Sequence, residues 1–170
     1  MANQSALIIP IPEVEPIVGP LRLQHDRAAL LGVPAHVTLM YPFRPADAAI
    51  GEIDKLRKLC ASIEAFSFSF IEVRRFPTTA YLHPDKSERF VQITKTLMEL
   101  WPDCRPYGGA FADIIPHLTV ADKVNSEIQS RVEEALAGQL PLPCVAREVC
   151  LITSDSSGMW SAAARLPLAA

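Results

Sequence analysis

The sequence predicts an α+β protein made of two pseudo-repeated halves. Three observations predict it. Short apolar runs rich in β-branched residues alternate with amphipathic stretches of helical length. Hairpin-like punctuation and prolines at strand edges argue against a purely parallel sheet. A short pattern of histidine, apolar residue, threonine and apolar residue occurs twice, as "HVTL" from His36 and as "HLTV" from His117.

The elements follow in chain order. "SALIIPI", Ser5 to Ile11, is an apolar run closed by proline, which predicts a strand buried on both faces. From Glu13 to Leu31 the apolar residues recur at helical spacing, with Pro16 and Pro20 either in a first turn or breaking it, so one broken or late-starting helix is expected. "HVTLMYP" predicts a strand, and Ala46 to Ile63 an amphipathic helix with its stripe at Ile50, Ile53, Leu56, Leu59 and Ile63. Phe66 to Phe76 alternates with period two as far as Phe70, after which the phase is lost. "TAYLHP" is a further short strand, Ser87 to Leu100 a helix, and "WPDCRPYGGAFADIIP" a loop punctuated by Gly and Pro. After the second motif, Asn125 to Ala137 reads as a helix, with Asn125 or Ser126 as its N-cap and Gly138 as its stop. "PCVAREVCLITS" and "MWSAAARLPL", joined by "DSSG", read as a closing hairpin of two strands.

At 170 residues the chain fits a single domain of two lobes sharing a core, and its 49% hydrophobic and 21% charged content is that of a folded globular protein. A net charge of −3 gives no basic field for a long polyanion, while leaving room for a small anion at a local site. Cys60, Cys104, Cys144 and Cys150 form no CxxC pair and have no histidine at zinc-finger distance, so they read as buried or incidental thiols. The N-terminal stretch lacks the pattern of a signal peptide, and prolines interrupt every apolar run before a bilayer could be spanned. A cytoplasmic monomer with no membrane association is expected.

On a strand, side chains at i and i+2 share a face, so His36 and Thr38 point one way and Val37 and Leu39 the other. His117 and Thr119 repeat this against Leu118 and Val120. Each strand thus buries an apolar pair and offers an imidazole and a hydroxyl. Brought together, two of each suit displacement at phosphorus: one neutral imidazole takes a proton from the nucleophile and one protonated imidazole gives a proton to the leaving oxygen. The hydroxyls would donate to the non-bridging oxygens. There is no P-loop, no HExxH and no dense carboxylate cluster. A single such histidine is usually structural, but two copies use half of the chain's four histidines. His25 and His83 read as surface residues. Arg75, beside Arg74, is a candidate cation for a phosphate oxygen. Strand parity sets Tyr41 and Phe43 with Leu39 on the core side unless Pro42 turns the chain, while Trp160 and Tyr81 are open candidates for stacking a base. The Gly108–Gly109 pair could make a flap.

The tandem motifs, the proline close before each histidine, the "YPF" after the first and their separation by about half the chain resemble the two-histidine (2H) phosphoesterase superfamily, in its bacterial 2′-5′ RNA ligase-like branch. The resemblance implies a bilobal fold with mostly antiparallel sheets lining a central cleft and helices outside. It also implies handling of 2′,3′-cyclic phosphates or 2′-5′ phosphodiesters, without metal or cofactor, on a small nucleotide or RNA end. Under it, His36 and His117 look like the acid and base, and Thr38 and Thr119 like the phosphate-binding hydroxyls.

Overall fold

The computed structural model describes residues 3–170. Strand β1 (Ser5–Pro10) is buried along nearly its whole length, as its unbroken apolar run requires. A 3-10 turn, Pro12–Val14, leads into α1 (Glu15–His25), where Pro16 occupies the first turn and Pro20 lies inside the helix. Asp26 then leaves helical geometry, at φ −128° and ψ 107°, and its carboxylate accepts from the Ala28 N–H at 3.1 Å to cap α2 (Arg27–Leu30). The expected broken helix therefore breaks at a capping aspartate, while its prolines are carried in the first turn and inside α1. Strand β2 (His36–Met40) follows.

The expected helix over Ala46–Ile63 is two helices, α3 (Ala46–Ile50) and α4 (Ile53–Ala61). Gly51 ends the first, which turns Ala46 and Ala49 inward and leaves Ile50 exposed; the apolar stripe restarts after it, with Leu56 and Cys60 buried. Strands β3 (Phe66–Phe76) and β4 (Thr79–Pro84) form a hairpin, followed by α5 (Ser87–Leu100) and β5 (Leu118–Asp122). Helix α6 (Ser126–Ala137) is capped by the Asn125 side chain, which accepts from the Ile128 N–H at 3.0 Å. The expected strand over Pro143–Ser154 is also two, β6 (Leu142–Ala146) and β7 (Glu148–Ser154), separated at Arg147 and belonging to different sheets. Strand β8 (Trp160–Pro167) pairs with β7 as a hairpin.

Two four-stranded sheets result, ordered β2-β1-β7-β8 and β5-β4-β3-β6, with antiparallel pairing between all neighbouring strands. Each motif strand is the edge of its own sheet. The helices are exchanged between the halves: α5 packs on β2 and α1 packs on β5. Thr94 of α5 seals one such contact by donating its hydroxyl to the Leu39 carbonyl at 2.9 Å. One apolar cluster runs through both sheets, from Leu7 and Val37 to Leu82, Phe90 and Leu118. The four cysteines are buried free thiols. Among the described residues, no helix is long and apolar enough to cross a membrane.

Candidate active site

Both motifs show the alternation expected of them. His36 and Thr38 are half-buried between fully buried Val37 and Leu39, and His117 and Thr119 are half-buried between fully buried Leu118 and Val120. In each copy the histidine ring is oriented by the carbonyl two residues earlier: Nδ1 of His36 lies 2.7 Å from the Pro34 oxygen, and Nδ1 of His117 lies 2.7 Å from the Ile115 oxygen. A carbonyl only accepts, so Nδ1 carries the proton in both rings and the neutral imidazole presents its lone pair at Nε2. Nε2 of His36 lies 3.1 Å from the Thr38 hydroxyl, which therefore donates to it. The two motif strands run close to one another across the gap between the sheets.

A register irregularity follows each threonine. Ile8 faces Thr38 and Leu7 faces Met40, so Leu39 is an extra residue; Tyr81 faces Thr119 and Ala80 faces Ala121, so Val120 is an extra residue at the equivalent place. A bulge reverses the parity of everything beyond it. Tyr41 and Asp122, each five residues after its histidine, thereby join the histidine face. Asp122 accepts from the Thr79 hydroxyl at 2.9 Å, and its charge is felt by His117. Unbroken strand parity puts Tyr41 on the core side; instead it packs edge-on against Trp160 and Tyr107 at centroid distances of 6.1 and 6.4 Å. Phe43 does enter the core, against Trp101. Tyr81 lies beneath His117, with centroids 5.4 Å apart, and is stacked on Phe76 at 4.3 Å.

The two rings sit in different fields. Burial pushes His36 down to about 4, and the positive charges of Arg22 and His117 push the same way, while the hydrogen bond to Pro34 opposes them. Burial also lowers His117, but there the Ile115 hydrogen bond and the negative Asp122 both oppose it. Arg22 is itself locked in place. Only 2% exposed, it donates to Asp26 at 3.0 and 3.1 Å and to the Val33 carbonyl at 3.1 Å, immediately before the segment that orients His36.

Arg75 is not brought to the histidines. Its guanidinium donates to both carboxylate oxygens of Glu133, at 2.5 and 3.0 Å, and to Ser130, all on α6. The reason is another bulge. Phe70 faces Pro84 and Glu72 faces His83, leaving Ile71 unpaired, so the faces of β3 exchange after Phe70, where the alternation in the sequence fails. Arg74, opposite Tyr81, is the arginine on the histidine face, paired with Glu72. His83 shares that face, half-buried with its Nδ1 unpartnered among the described residues, in place of the expected surface position. Among the described residues no three His, Cys, Asp or Glu side chains are grouped to hold a metal ion.

A family model of the 2′-5′ RNA ligase superfamily matches residues 10–158. No curated protein matches the chain. Among solved structures, Escherichia coli LigT complexed with 3′-AMP superposes with a TM-score of 0.64 at 13% identity, covering 99% of each chain. LigT in apo form gives 0.64 at 16% over the full length of both chains. TT0787 of Thermus thermophilus gives 0.59 at 14%, covering 99% of this chain and 98% of its own. At these identities the likeness speaks for the fold.

Proposed function

The chain belongs to the 2′-5′ RNA ligase superfamily, and from that premise we propose that it is a two-histidine phosphodiesterase acting on 2′,3′-cyclic phosphate or 2′-5′ phosphodiester ends of small RNA-derived molecules. The observation that carries this reading is the matched pair of imidazoles, each held at Nδ1 by the carbonyl two residues back with Nε2 left for chemistry. LigT, whose fold the chain shares, has been crystallised with 3′-AMP and with phosphate.

In the hydrolysis, Nε2 of His36 takes a proton from water as its oxygen attacks phosphorus. The bond from phosphorus to one ribose oxygen breaks, and the Nε2 proton of His117 passes to that oxygen. Proton exchange with solvent restores both rings. The field differences support this division of labour. His36, pushed down by burial and by Arg22, stays neutral near neutral pH and serves as base, while His117, with Asp122 beside it, more readily carries the proton to be donated. Thr38 and Thr119 donate to the non-bridging oxygens, where charge concentrates. The acidic balance of the chain, −3 overall, supports a short substrate over long RNA.

Phosphorus NMR of a 2′,3′-cyclic nucleotide incubated with chelator-treated protein tests the reading. Wild type is expected to give a single ring-opened isomer, and His36→Ala and His117→Ala are each expected to slow turnover by about 10²–10⁴. An activity that vanishes with chelator and returns with a divalent ion would sink it.

A further inference from the structure

The carbonyl that orients His36 belongs to Pro34, and every backbone polar group of residues 33–35 around it is bonded. The Val33 N–H donates to the Ala28 carbonyl at 3.0 Å, and the Ala35 carbonyl accepts from the Ile11 N–H at 2.9 Å. The remaining two groups go to charged side chains of α1. Arg22 donates to the Val33 carbonyl at 3.1 Å, and the Glu15 carboxylate accepts from the Ala35 N–H at 2.5 Å. That N–H and the Pro34 carbonyl are the two edges of one planar peptide group. Glu15 therefore grips one edge of the plane whose other edge accepts the proton of His36 Nδ1. The carboxylate is half-buried and lies against Gly19, where a Cβ would stand 3.3 Å from its second oxygen, so the bare glycine gives it its place. The other motif cannot be held this way. The peptide that orients His117 joins Ile115 to Pro116, and a proline has no N–H to give.

Resting on the phosphodiesterase reading, we propose that Glu15 is a positioning residue for the base: by holding the Ala35 N–H it fixes the Pro34 carbonyl against Nδ1 of His36 and so keeps the lone pair of that ring at Nε2. A bond at one edge of an amide polarises the other, so the carboxylate also makes the Pro34 carbonyl a better acceptor. Carboxylate, peptide group and imidazole form a relay that exists on the His36 side alone.

Nitrogen NMR of the histidine rings and steady-state kinetics on a 2′,3′-cyclic nucleotide test this in wild type, Glu15→Met, Glu15→Asp and Glu15→Gln. Methionine keeps the length and removes the acceptor. Aspartate keeps the charge and suits the first turn of a helix, but falls one methylene short of Ala35. Glutamine keeps both the reach and an acceptor oxygen. With the rings neutral, wild type is expected to carry the proton on Nδ1 in both. Glu15→Met and Glu15→Asp are expected to mix the two tautomers at His36 alone, with His117 as the unchanged internal reference. They should also lower kcat by about ten- to a hundredfold at nearly constant KM, because Glu15 orients the base without touching substrate. Glu15→Gln is expected to recover the tautomer and most of the rate. An unchanged His36 tautomer or an unchanged kcat in Glu15→Met and Glu15→Asp overturns the assignment, as does a loss in Glu15→Gln equal to theirs. Mixed tautomers at both rings, or failure of both variants to fold, overturn it too, since Glu15 would then serve the fold as a whole. A His36 tautomer that follows the series in a protein whose wild type opens no cyclic ester would keep the Glu15 relay and remove the diesterase reading.

Discussion

Acidification is the perturbation that tests the electrostatics of the site most directly. His36 is pushed from an ordinary 6.5 to about 4, chiefly by burial and further by the charges of Arg22 and His117. A histidine whose folded value is depressed binds its proton more readily in the unfolded chain. Its contribution to stability is therefore complete above pH 6.5 and is lost as the pH falls from 6.5 toward 4. At roughly 1.4 kcal/mol per pH unit the loss approaches about 3 kcal/mol as a ceiling, and about 1–2 kcal/mol once the partial exposure of the ring is allowed for. Urea unfolding at pH 7 and pH 4 measures it. Wild type should lose about 1–2 kcal/mol more over that interval than His36→Asn, with His117→Asn as a parallel control for the second lowered ring. Direct NMR titration of the His36 ring supplies the second readout. If that ring titrates near 6.5, or if the variant and wild type lose equal stability, the assignment of His36 as a base kept neutral by its surroundings is refuted.

Three further outcomes follow from the same geometry. Thr38→Val and Thr119→Val preserve shape and remove one donor each, so steady-state assays on a cyclic nucleotide should show about ten- to a hundredfold losses in kcat/KM; full activity in either would remove that threonine from the phosphate. Arg75→Gln should leave kcat/KM unchanged, because its guanidinium is held by Glu133 on the far face of β3; a large loss would show that Arg75 reaches the substrate. Asp26→Asn strips a buried arginine of its counter-charge, with the two side chains only 2% and 6% exposed, and should cost about 3 kcal/mol or more in urea unfolding; a loss below about 1 kcal/mol would mean that water reaches Arg22.

Much of the fold was legible because it obeys local rules. The unbroken apolar run of β1 marks a strand covered on both faces, the alternation from Phe66 marks a half-buried one, and Asn125 caps its helix as its side chain predicts. The repeated histidine and threonine likewise declared themselves, since parity over two residues survives any later irregularity. The errors arose where one residue interrupts a regular element: Gly51 splits a helix in two, and Arg147 lets a stretch that reads as one strand leave one sheet for the other. Neither break carries a strong signal, because glycine is tolerated in helices and an arginine at the end of a strand is ordinary. The turn at Tyr107 was hidden for a different reason. Its place depends on three left-handed residues in succession, which the glycine pair permits but does not dictate.

The bulges connect these misreadings to the chemistry. A strand with period two can offer its edge residues at i, i+2 and i+4 to one face, and in both motifs the i+4 residue is apolar: Met40 and Ala121. Without an extra residue, each motif would drive that apolar side chain toward the site. With Leu39 and Val120 inserted, Met40 and Ala121 return to the core, and position i+5 takes their place, Tyr41 in one half and Asp122 in the other. The duplicated architecture thus supplies two equivalent imidazoles, and the bulge supplies a position at which their surroundings differ. An aromatic residue there packs against Tyr107, and a carboxylate there opposes the loss of the proton from His117. Buried Arg22 behind His36 works in the same sense as the asymmetry at i+5, so on the phosphodiesterase reading the two rings divide into base and acid.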